Sequence, residues 1–179
     1  MELVQIVDEQ NRESGTAPRD VMRKQRLLHR CTYIFVFNAK GEIFVQQRTL
    51  SKDIYPGFLD LAAGGVIVAG ESYDVGAQRE LAEELGISGV PLAHHGVIYF
   101  EDELSRVFGA IYSCVWDGPM QFQVEEVAGG RFYSVDEVLG MAAEGSQITP
   151  DSLAALNYLR KATEADQPRL QIAPRSSPG

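Results

Sequence analysis

An unusual concentration of carboxylates marks residues 65–87, which read GVIVAGESYDVGAQRELAEELGI. Glu80, Glu83 and Glu84 fall within two turns of a predicted helix, where side chains three or four positions apart are neighbours. Each pair of like charges costs about 0.7 kcal/mol in water and about 3 kcal/mol at an effective dielectric of 20. Arg79 is the only basic residue of this segment, so we expect a bound cation to cancel the remaining repulsion.

Hard carboxylate oxygens on one rigid helix face suit Mg²⁺ or Mn²⁺, ions that commonly bind substrate phosphate as well. Two glycines, Gly64 and Gly65, precede the helix and would let the backbone approach the metal or the substrate closely. Glu71 lies eight residues before Arg79, and we expect these two side chains to form an ion pair that ties the loop to the helix. The pattern therefore predicts a divalent-metal site.

The same residues resemble the sequence box of the Nudix hydrolase family, G-x5-E-x7-R-E-U-x-E-E-x-G-U, in which U is aliphatic. Nine fixed positions match without a gap: Gly65, Glu71, Arg79, Glu80, Leu81, Glu83, Glu84, Gly86 and Ile87. The resemblance implies an α/β fold, a Nudix-type α/β/α sandwich with a mixed β-sheet. It also implies an enzyme that cleaves a diphosphate linked to a variable group X with water activated by Mg²⁺ or Mn²⁺.

The resemblance implies that Glu80, Glu83 and Glu84 hold the metal. It also implies that Arg79 and Glu71 orient these ligands without binding the metal themselves. These five are the candidate catalytic residues, and Gly65 is a candidate substrate contact. The box determines the reaction, whereas loops elsewhere in the fold determine which group X is bound. We therefore expect a substrate class rather than a particular compound, namely a small nucleoside-diphosphate derivative.

Residues 27–60 are also similar to the isopentenyl-diphosphate isomerase branch of the same family. His29, Arg48 and Lys52 have counterparts there, and the residues that match Arg48 and Lys52 contact the diphosphate. Both are therefore candidate phosphate-binding residues, whereas we expect His29 to be a hydrogen-bonded structural residue rather than a metal ligand.

The isomerase chemistry itself is not supported by the sequence. It needs a Cys-x-His element where this chain has Ala63 and Gly65, and a metal-binding histidine where this chain has Met22. The isomerase branch also has a degraded box, whereas this box is complete. We therefore expect hydrolysis, with an isomerase-like enzyme and a non-catalytic diphosphate-binding regulatory module as the alternatives.

Nudix hydrolases often recruit one more acidic metal ligand from outside the box. Four glutamates compete for this place, namely Glu101, Glu103, Glu125 and Glu126. Glu126, just before a predicted strand, and Glu101, in the acidic loop EDEL, are the preferred pair.

The remaining sequence predicts strands and helices that alternate, as expected for a layered α/β fold. Ser72 and Gly86 are the predicted cap and stop of the acidic helix, Ser134 and Glu137 form a capping box, and Thr149 is the predicted cap of the last helix. The predicted strands are 4–7, 31–37, 42–48, 60–68, 97–100, 107–115 and 130–133, the predicted helices are 18–28, 72–85, 135–143 and 150–165, and 11–17 is a predicted turn.

Three regions are expected: a strand–helix extension over 1–28, a Nudix domain over 29–166 and a flexible Pro- and Ser-containing tail over 167–179. The extension could serve a homodimer as well as a lid, so the oligomeric state stays open.

The 179 residues carry a net charge of −9. This charge argues against nucleic acid and anionic membranes as partners, but it is compatible with a phosphorylated substrate because a bridging divalent metal can invert the local sign.

The stretch MELVQIVDEQN has no basic leader, and no apolar run approaches the length of a membrane span. Cys31 and Cys114 fit buried free thiols. We therefore expect a cytoplasmic protein.

Overall fold

A computed structural model describes residues 1–166 of the chain, and the expected tail at 167–179 lies outside the described residues. Eight strands and four helices follow one another in this part. They are β1 (Leu3–Val7), β2 (Glu13–Pro18), α1 (Arg19–Gln25), β3 (His29–Phe37), β4 (Ile43–Arg48), β5 (Leu59–Asp60), α2 (Tyr73–Leu85), β6 (Ala93–Glu101), β7 (Arg106–Val115), β8 (Val127–Tyr133), α3 (Val135–Ala143) and α4 (Pro150–Ala165).

Strand β3 lies at the centre of a mixed sheet. It pairs in parallel with β7 over its whole length and antiparallel with β1 and β4 near its two ends. Strand β6 pairs with β7, β5 and β8 pair with β4, and β2 pairs with β1, all antiparallel. The mixed sheet is thus confirmed.

The two faces of β3 explain the layers, because successive side chains of a strand point to opposite faces. Tyr33 and Phe35 belong to the core cluster that contains residues of α3 and α4. Ile34 and Val36 belong to a second cluster, which contains the buried face of α2. Helices therefore cover both faces of the sheet, and the α/β/α sandwich is confirmed.

Helix α2 begins and ends where the sequence predicts. The Ser72 hydroxyl accepts a hydrogen bond from the Val75 N–H, and Gly86 adopts a left-handed conformation with φ of 67° at the C-terminal end. Left-handed backbone favours glycine because the residue has no Cβ to clash. The capping box of α3 is confirmed as well, with both reciprocal hydrogen bonds present.

Two local predictions were wrong, and a third was correct only for the position of the cap. The turn predicted at 11–17 is largely strand β2, which pairs with β1 although ESGTAP has little intrinsic strand preference. The strand predicted at 60–68 is regular only at Leu59–Asp60, because Gly64 has φ of +145° and interrupts the pairing with β3. Thr149 is the N-cap residue of α4 as predicted, but its side chain makes no capping hydrogen bond, since its hydroxyl is hydrogen-bonded to the hydroxyl of Ser152.

Residues 1–28 pack tightly against the loop that precedes α2. The Gln5 N–H donates to the Ile67 carbonyl at 3.1 Å, and the Ala69 N–H donates to the Leu3 carbonyl at 2.9 Å. Met22 of α1 is buried in a small cluster with Val4 and Val66. The N-terminal segment thereby forms part of the wall beside the acidic helix.

Both cysteines are buried free thiols, as expected. Within residues 1–166, none of the helices combines the length and the apolar character that a membrane crossing requires.

Candidate active site

The position of each box glutamate follows from the buried stripe of α2. Residues Ala77, Leu81 and Leu85 recur every four positions and face the sheet. Glu80 and Glu84 each lie one residue before this stripe, so their side chains reach the edge of the helix–sheet interface, where the residues are 8% and 4% exposed. Glu83 lies further around the helix, and its side chain is 49% exposed.

Arg79 connects the loop and the helix through every nitrogen of its guanidinium. It binds both Glu71 oxygens, at 2.7 and 2.9 Å, as the sequence predicts. It also donates to Glu80 at 2.7 Å, to Glu83 at 3.3 Å and to the Val66 carbonyl at 3.2 Å. Hydrogen bonds from Arg79 lower the pKa of Glu71, so this carboxylate stays ionised and fixes the arginine.

Glu84 is held at the back of the cleft by two donors. Its Oε2 accepts hydrogen bonds from the side-chain amide of Gln46 at 3.1 Å and from the Gly64 N–H at 3.2 Å. Burial, together with the negative charge of Glu80, raises the pKa of Glu84 to about 7. The sequence analysis missed Gln46, although a polar residue at a buried strand position was a signal that could have identified it.

Gly65 leaves room for the carboxylate of Glu80. A Cβ at position 65 would lie 2.6 to 2.8 Å from the three carboxyl atoms of Glu80, closer than atoms normally approach. Burial raises the pKa of Glu80, while the positive charges of Arg79 and Arg19 oppose that shift. The glycine of the box therefore positions an acid directly against the backbone of the loop.

The two predicted phosphate contacts occupy different environments. Arg48 donates to Asp60 at 3.1 Å and, through its other two nitrogens, to the carbonyls of Ile54 and Tyr55. Lys52 lines the cleft and is bound to Glu126; its pKa is lowered mainly by burial and by the charge of Arg48. Arg48 thus holds the loop that carries Lys52, and its role as a phosphate contact stays a prediction.

The structure separates the glutamates proposed as extra ligands. Glu126 lines the same cleft as Glu80 and Glu84, whereas Glu101, Glu103 and Glu125 do not line it. Glu101 lies at the end of β6, where its carboxylate binds Arg26 at 3.1 Å and accepts a hydrogen bond from the Tyr99 hydroxyl. The cleft therefore contains one of the two preferred residues.

His29 is a buried structural residue, as the sequence analysis expects. Its Nδ1 lies 2.8 Å from the Leu27 carbonyl, so this nitrogen donates the hydrogen bond. Burial lowers the pKa of His29 to about 4.

The cleft also contains a second acidic group, which was not predicted from the sequence. The Tyr33 hydroxyl donates to Asp151 at 3.0 Å. Burial and the nearby charge of Asp60 raise the pKa of Asp151 to about 6. No sequence signal joins these residues, since Tyr33 and Asp151 lie 118 positions apart.

The cleft has a volume of about 260 Å³. As the side chains stand, no three histidine, cysteine, aspartate or glutamate residues within 1–166 converge closely enough to hold a metal. The carboxylates instead contact Arg79 and Lys52. Their chemistry nevertheless fits Mg²⁺ or Mn²⁺, because hard oxygen donors line one cleft and two of them, Glu80 and Glu84, have raised pKa values that an additional positive charge would relieve.

Comparison with known proteins gives a consistent result. The NUDIX domain model matches residues 27–155. A Yersinia pestis protein described as an uncharacterised Nudix hydrolase is 48% identical over 183 residues, which cover 99% of this chain and 95% of the relative. The Nudix hydrolase YfcD of Escherichia coli K12 is 48% identical over 155 residues, which cover 87% of this chain and 84% of YfcD.

Solved structures share the fold. The crystal structure of DR0079 from Deinococcus radiodurans has a TM-score of 0.76 and 26% identity, and the match covers 89% of this chain and 98% of that chain. The NUDIX domain of Shewanella oneidensis NrtR, crystallised with ADP ribose, has a TM-score of 0.60 at 18% identity and covers 76% of this chain and 87% of that chain.

The domain match, the near-full-length relatives and the intact box on α2 agree with one another. The chain therefore belongs to the Nudix hydrolase family, whose members act on phosphorus-containing acid anhydrides.

Proposed function

We propose that this chain is a Mg²⁺- or Mn²⁺-dependent pyrophosphohydrolase that cleaves the diphosphate linkage of a nucleoside-diphosphate derivative. The observation that carries the proposal is the pair of buried carboxylates, Glu80 and Glu84, on one wall of the cleft. Burial is the main cause that raises the pKa of both carboxyl groups, so an added positive charge would stabilise their ionised forms. A divalent ion bound there would polarise phosphoryl oxygens and lower the pKa of a water molecule.

Glu80, Glu83, Glu84 and Glu126 are the residues that we propose hold the ion. Glu80 and Glu84 lie at the buried edge of α2, and Glu126, the residue before β8, lines the same cleft. Glu101 is left out of this set because its carboxylate is committed to Arg26 and Tyr99 outside the cleft.

The other residues of the site act through position and charge. Arg79 keeps the loop and the helix in register by binding Glu71, Glu80 and Glu83. The ammonium of Lys52, which lines the cleft, can contact a phosphate oxygen when its bond to Glu126 is released. Gly65 allows the carboxylate of Glu80 to lie against the loop backbone, and its role as a substrate contact stays a prediction.

The substrate class is supported by two observations. The cleft combines oxygen donors for a metal with basic residues for phosphate. In addition, the NrtR domain, which shares this fold, was crystallised with ADP ribose, itself a nucleoside-diphosphate derivative. We therefore propose a nucleoside-diphosphate derivative as the substrate.

A panel of diphosphate compounds tests the proposal. In the presence of Mg²⁺ we expect release of phosphate or a nucleoside monophosphate, and Glu83→Gln should reduce the rate at least about 100-fold. Glu83 is half-exposed, so the variant should remain folded, and the exposed Glu164→Gln on α4 is the matched control.

Two other outcomes would contradict the hydrolase. Rearrangement of isopentenyl diphosphate without phosphate release would identify an isomerase-like enzyme. Metal-dependent binding of a diphosphate compound without any product over several hours would identify a regulatory module.

A further inference from the structure

The wall of the cleft beside the acidic helix is partly built by α1. Two arginines of this helix, Arg19 and Arg23, line the same cleft as Glu80 and Glu84. Helix α1 is anchored there because Met22, between the two arginines, is buried against Val4 and Val66. The N-terminal segment thus places two guanidinium groups in the cleft that the Nudix box itself does not provide.

Four guanidinium groups line the cleft, and they differ in how their nitrogens are used. Arg48 and Arg79 each hydrogen-bond to protein acceptors through all three nitrogens. Arg19 uses only Nη1, which binds Glu2 at 3.1 Å, and Arg23 uses only Nε, which binds Asp53 at 2.9 Å.

The other two nitrogens of each of these arginines donate to no acceptor within residues 1–166. Arg19 and Arg23 therefore each keep two nitrogens without a protein acceptor in the described part of the chain. Every nitrogen of Arg48 and Arg79 already has one.

The environment of Arg23 also favours an anion. Its side chain is only 18% exposed, whereas that of its partner Asp53 is 48% exposed. Burial lowers the pKa of Arg23, the charge of Asp53 opposes this shift, and the like charge of Arg19 adds to it. Ion pairs with exposed carboxylates such as Asp53 and Glu2 contribute little to stability, so a phosphate could replace them.

Charge balance indicates which part of a substrate these arginines would contact. The diphosphate that is cleaved would be matched by the metal and by Lys52, as set out under the proposed function. Two additional guanidinium groups suit a further phosphate, which carries a charge of about −1.5 to −2 and accepts paired hydrogen bonds from arginine. A neutral sugar in the same place would leave the two guanidinium groups with only their carboxylate partners, Glu2 and Asp53.

We propose that Arg19 and Arg23 bind a phosphate group beyond the diphosphate that is cleaved, so that nucleoside triphosphates are preferred over nucleoside diphosphates that end in a neutral sugar. The inference rests on the proposed function, because it concerns the substrate of that same site. It makes the N-terminal segment a determinant of specificity.

The test compares three pairs matched in their base: ATP with ADP-ribose, GTP with GDP-mannose, and UTP with UDP-glucose. For the pair that is hydrolysed, the wild-type protein should have the higher kcat/KM with the triphosphate. The double variant Arg19→Gln/Arg23→Gln should raise KM for the triphosphate about 10- to 100-fold, leave kcat within about threefold, and change KM for the sugar derivative by less than about threefold.

Two controls separate recognition from structure. Arg12→Gln removes an exposed arginine of the same segment that binds Asp8 outside the cleft, and it should leave both substrates unaffected. Asp53→Asn breaks the ion pair of Arg23 but keeps the guanidinium. If Arg23 binds phosphate, the Asp53→Asn variant should keep the preference for the triphosphate. If the ion pair is merely structural, the Asp53→Asn variant should lose this preference, as the double arginine variant does.

The outcomes remain distinguishable from those of the proposed function. Hydrolysis of no compound in any pair would overturn the proposed function and the inference with it. Hydrolysis by the wild-type protein that favours the sugar derivatives, or an equal effect of the double variant on both members of a pair, would overturn the inference alone. Loss of the preference in Asp53→Asn would also overturn it.

Discussion

Gly65→Ala tests whether the box glycine holds Glu80 in place. The new methyl group would lie 2.6 Å from Oε1 of Glu80, so the carboxylate has to move by about 0.5 to 1 Å to reach ordinary contact. The backbone at position 65 is fixed, since its carbonyl accepts a hydrogen bond from the Thr32 N–H at 3.0 Å. The side chain of Glu80 must therefore give way, and its 2.7 Å bond to Arg79 is disturbed.

The size of the effect follows from that contact. A hydrogen bond between charged groups contributes about 1.5 to 3 kcal/mol, and overpacking of a well-packed site costs about 1 to 3 kcal/mol. We expect Gly65→Ala to lower the free energy of unfolding by about 1 to 3 kcal/mol. Because Glu80 is a proposed metal ligand, we also expect the hydrolysis rate of the folded variant to fall at least about tenfold.

The assay pairs urea unfolding, followed by tryptophan fluorescence, with initial rates of phosphate release at saturating Mg²⁺. Gly15→Ala is the matched control, because no heavy atom lies within 4 Å of a Cβ placed there. It should change stability by less than about 0.5 kcal/mol and leave the rate unchanged. A Gly65→Ala protein with the stability and the rate of Gly15→Ala would refute the reasoning.

Two further predictions concern buried cationic or titratable groups. The pKa of His29 in the folded protein, about 4, lies below its ordinary value of 6.5. Between these two pH values only the unfolded chain takes up a proton on this residue. The free energy of unfolding of the wild type therefore decreases as the pH is lowered from 6.5 to 4. The Asn side chain of His29→Asn can still donate to the Leu27 carbonyl but does not titrate. Between pH 7 and pH 4 this variant should lose about 3 kcal/mol less unfolding free energy than the wild type, as measured by urea unfolding at both pH values. Equal losses in the two proteins would contradict the buried environment of His29. Arg48→Lys removes the forked contacts to Ile54, Tyr55 and Asp60 and should cost about 2 kcal/mol of unfolding free energy, whereas a cost below about 0.5 kcal/mol would show that those contacts do not support the loop.

The parts of the fold that were predicted correctly depend on local interactions. Helix α2 is bounded by Ser72 and Gly86, and the chemistry of these ends acts over three or four residues. The capping box of α3 is similarly local. Strand β2 could not be predicted, since ESGTAP becomes a strand through its pairing with β1 rather than through its own preference.

The contacts of the candidate site also differ in whether they are local in the sequence. The bonds of Arg79 to Glu71 and to the neighbouring glutamates follow from spacing within one loop and one helix. The contact of Lys52 with Glu126 joins residues 74 positions apart, and that of Gln46 with Glu84 joins residues 38 apart. Such contacts are set by the sheet, so the sequence can mark Gln46 as a buried polar residue but cannot identify Glu84 as its partner.

Metal binding at α2 is the central claim of this account. Calorimetric titration of Mn²⁺ and Mg²⁺ into the wild-type protein and into Glu80→Gln, with Glu164→Gln as the exposed control, measures it directly. We expect saturable uptake by the wild type and by the control, and loss of that uptake in Glu80→Gln. Absence of uptake by the wild type, with and without a diphosphate compound present, or equal uptake by all three proteins, would contradict it.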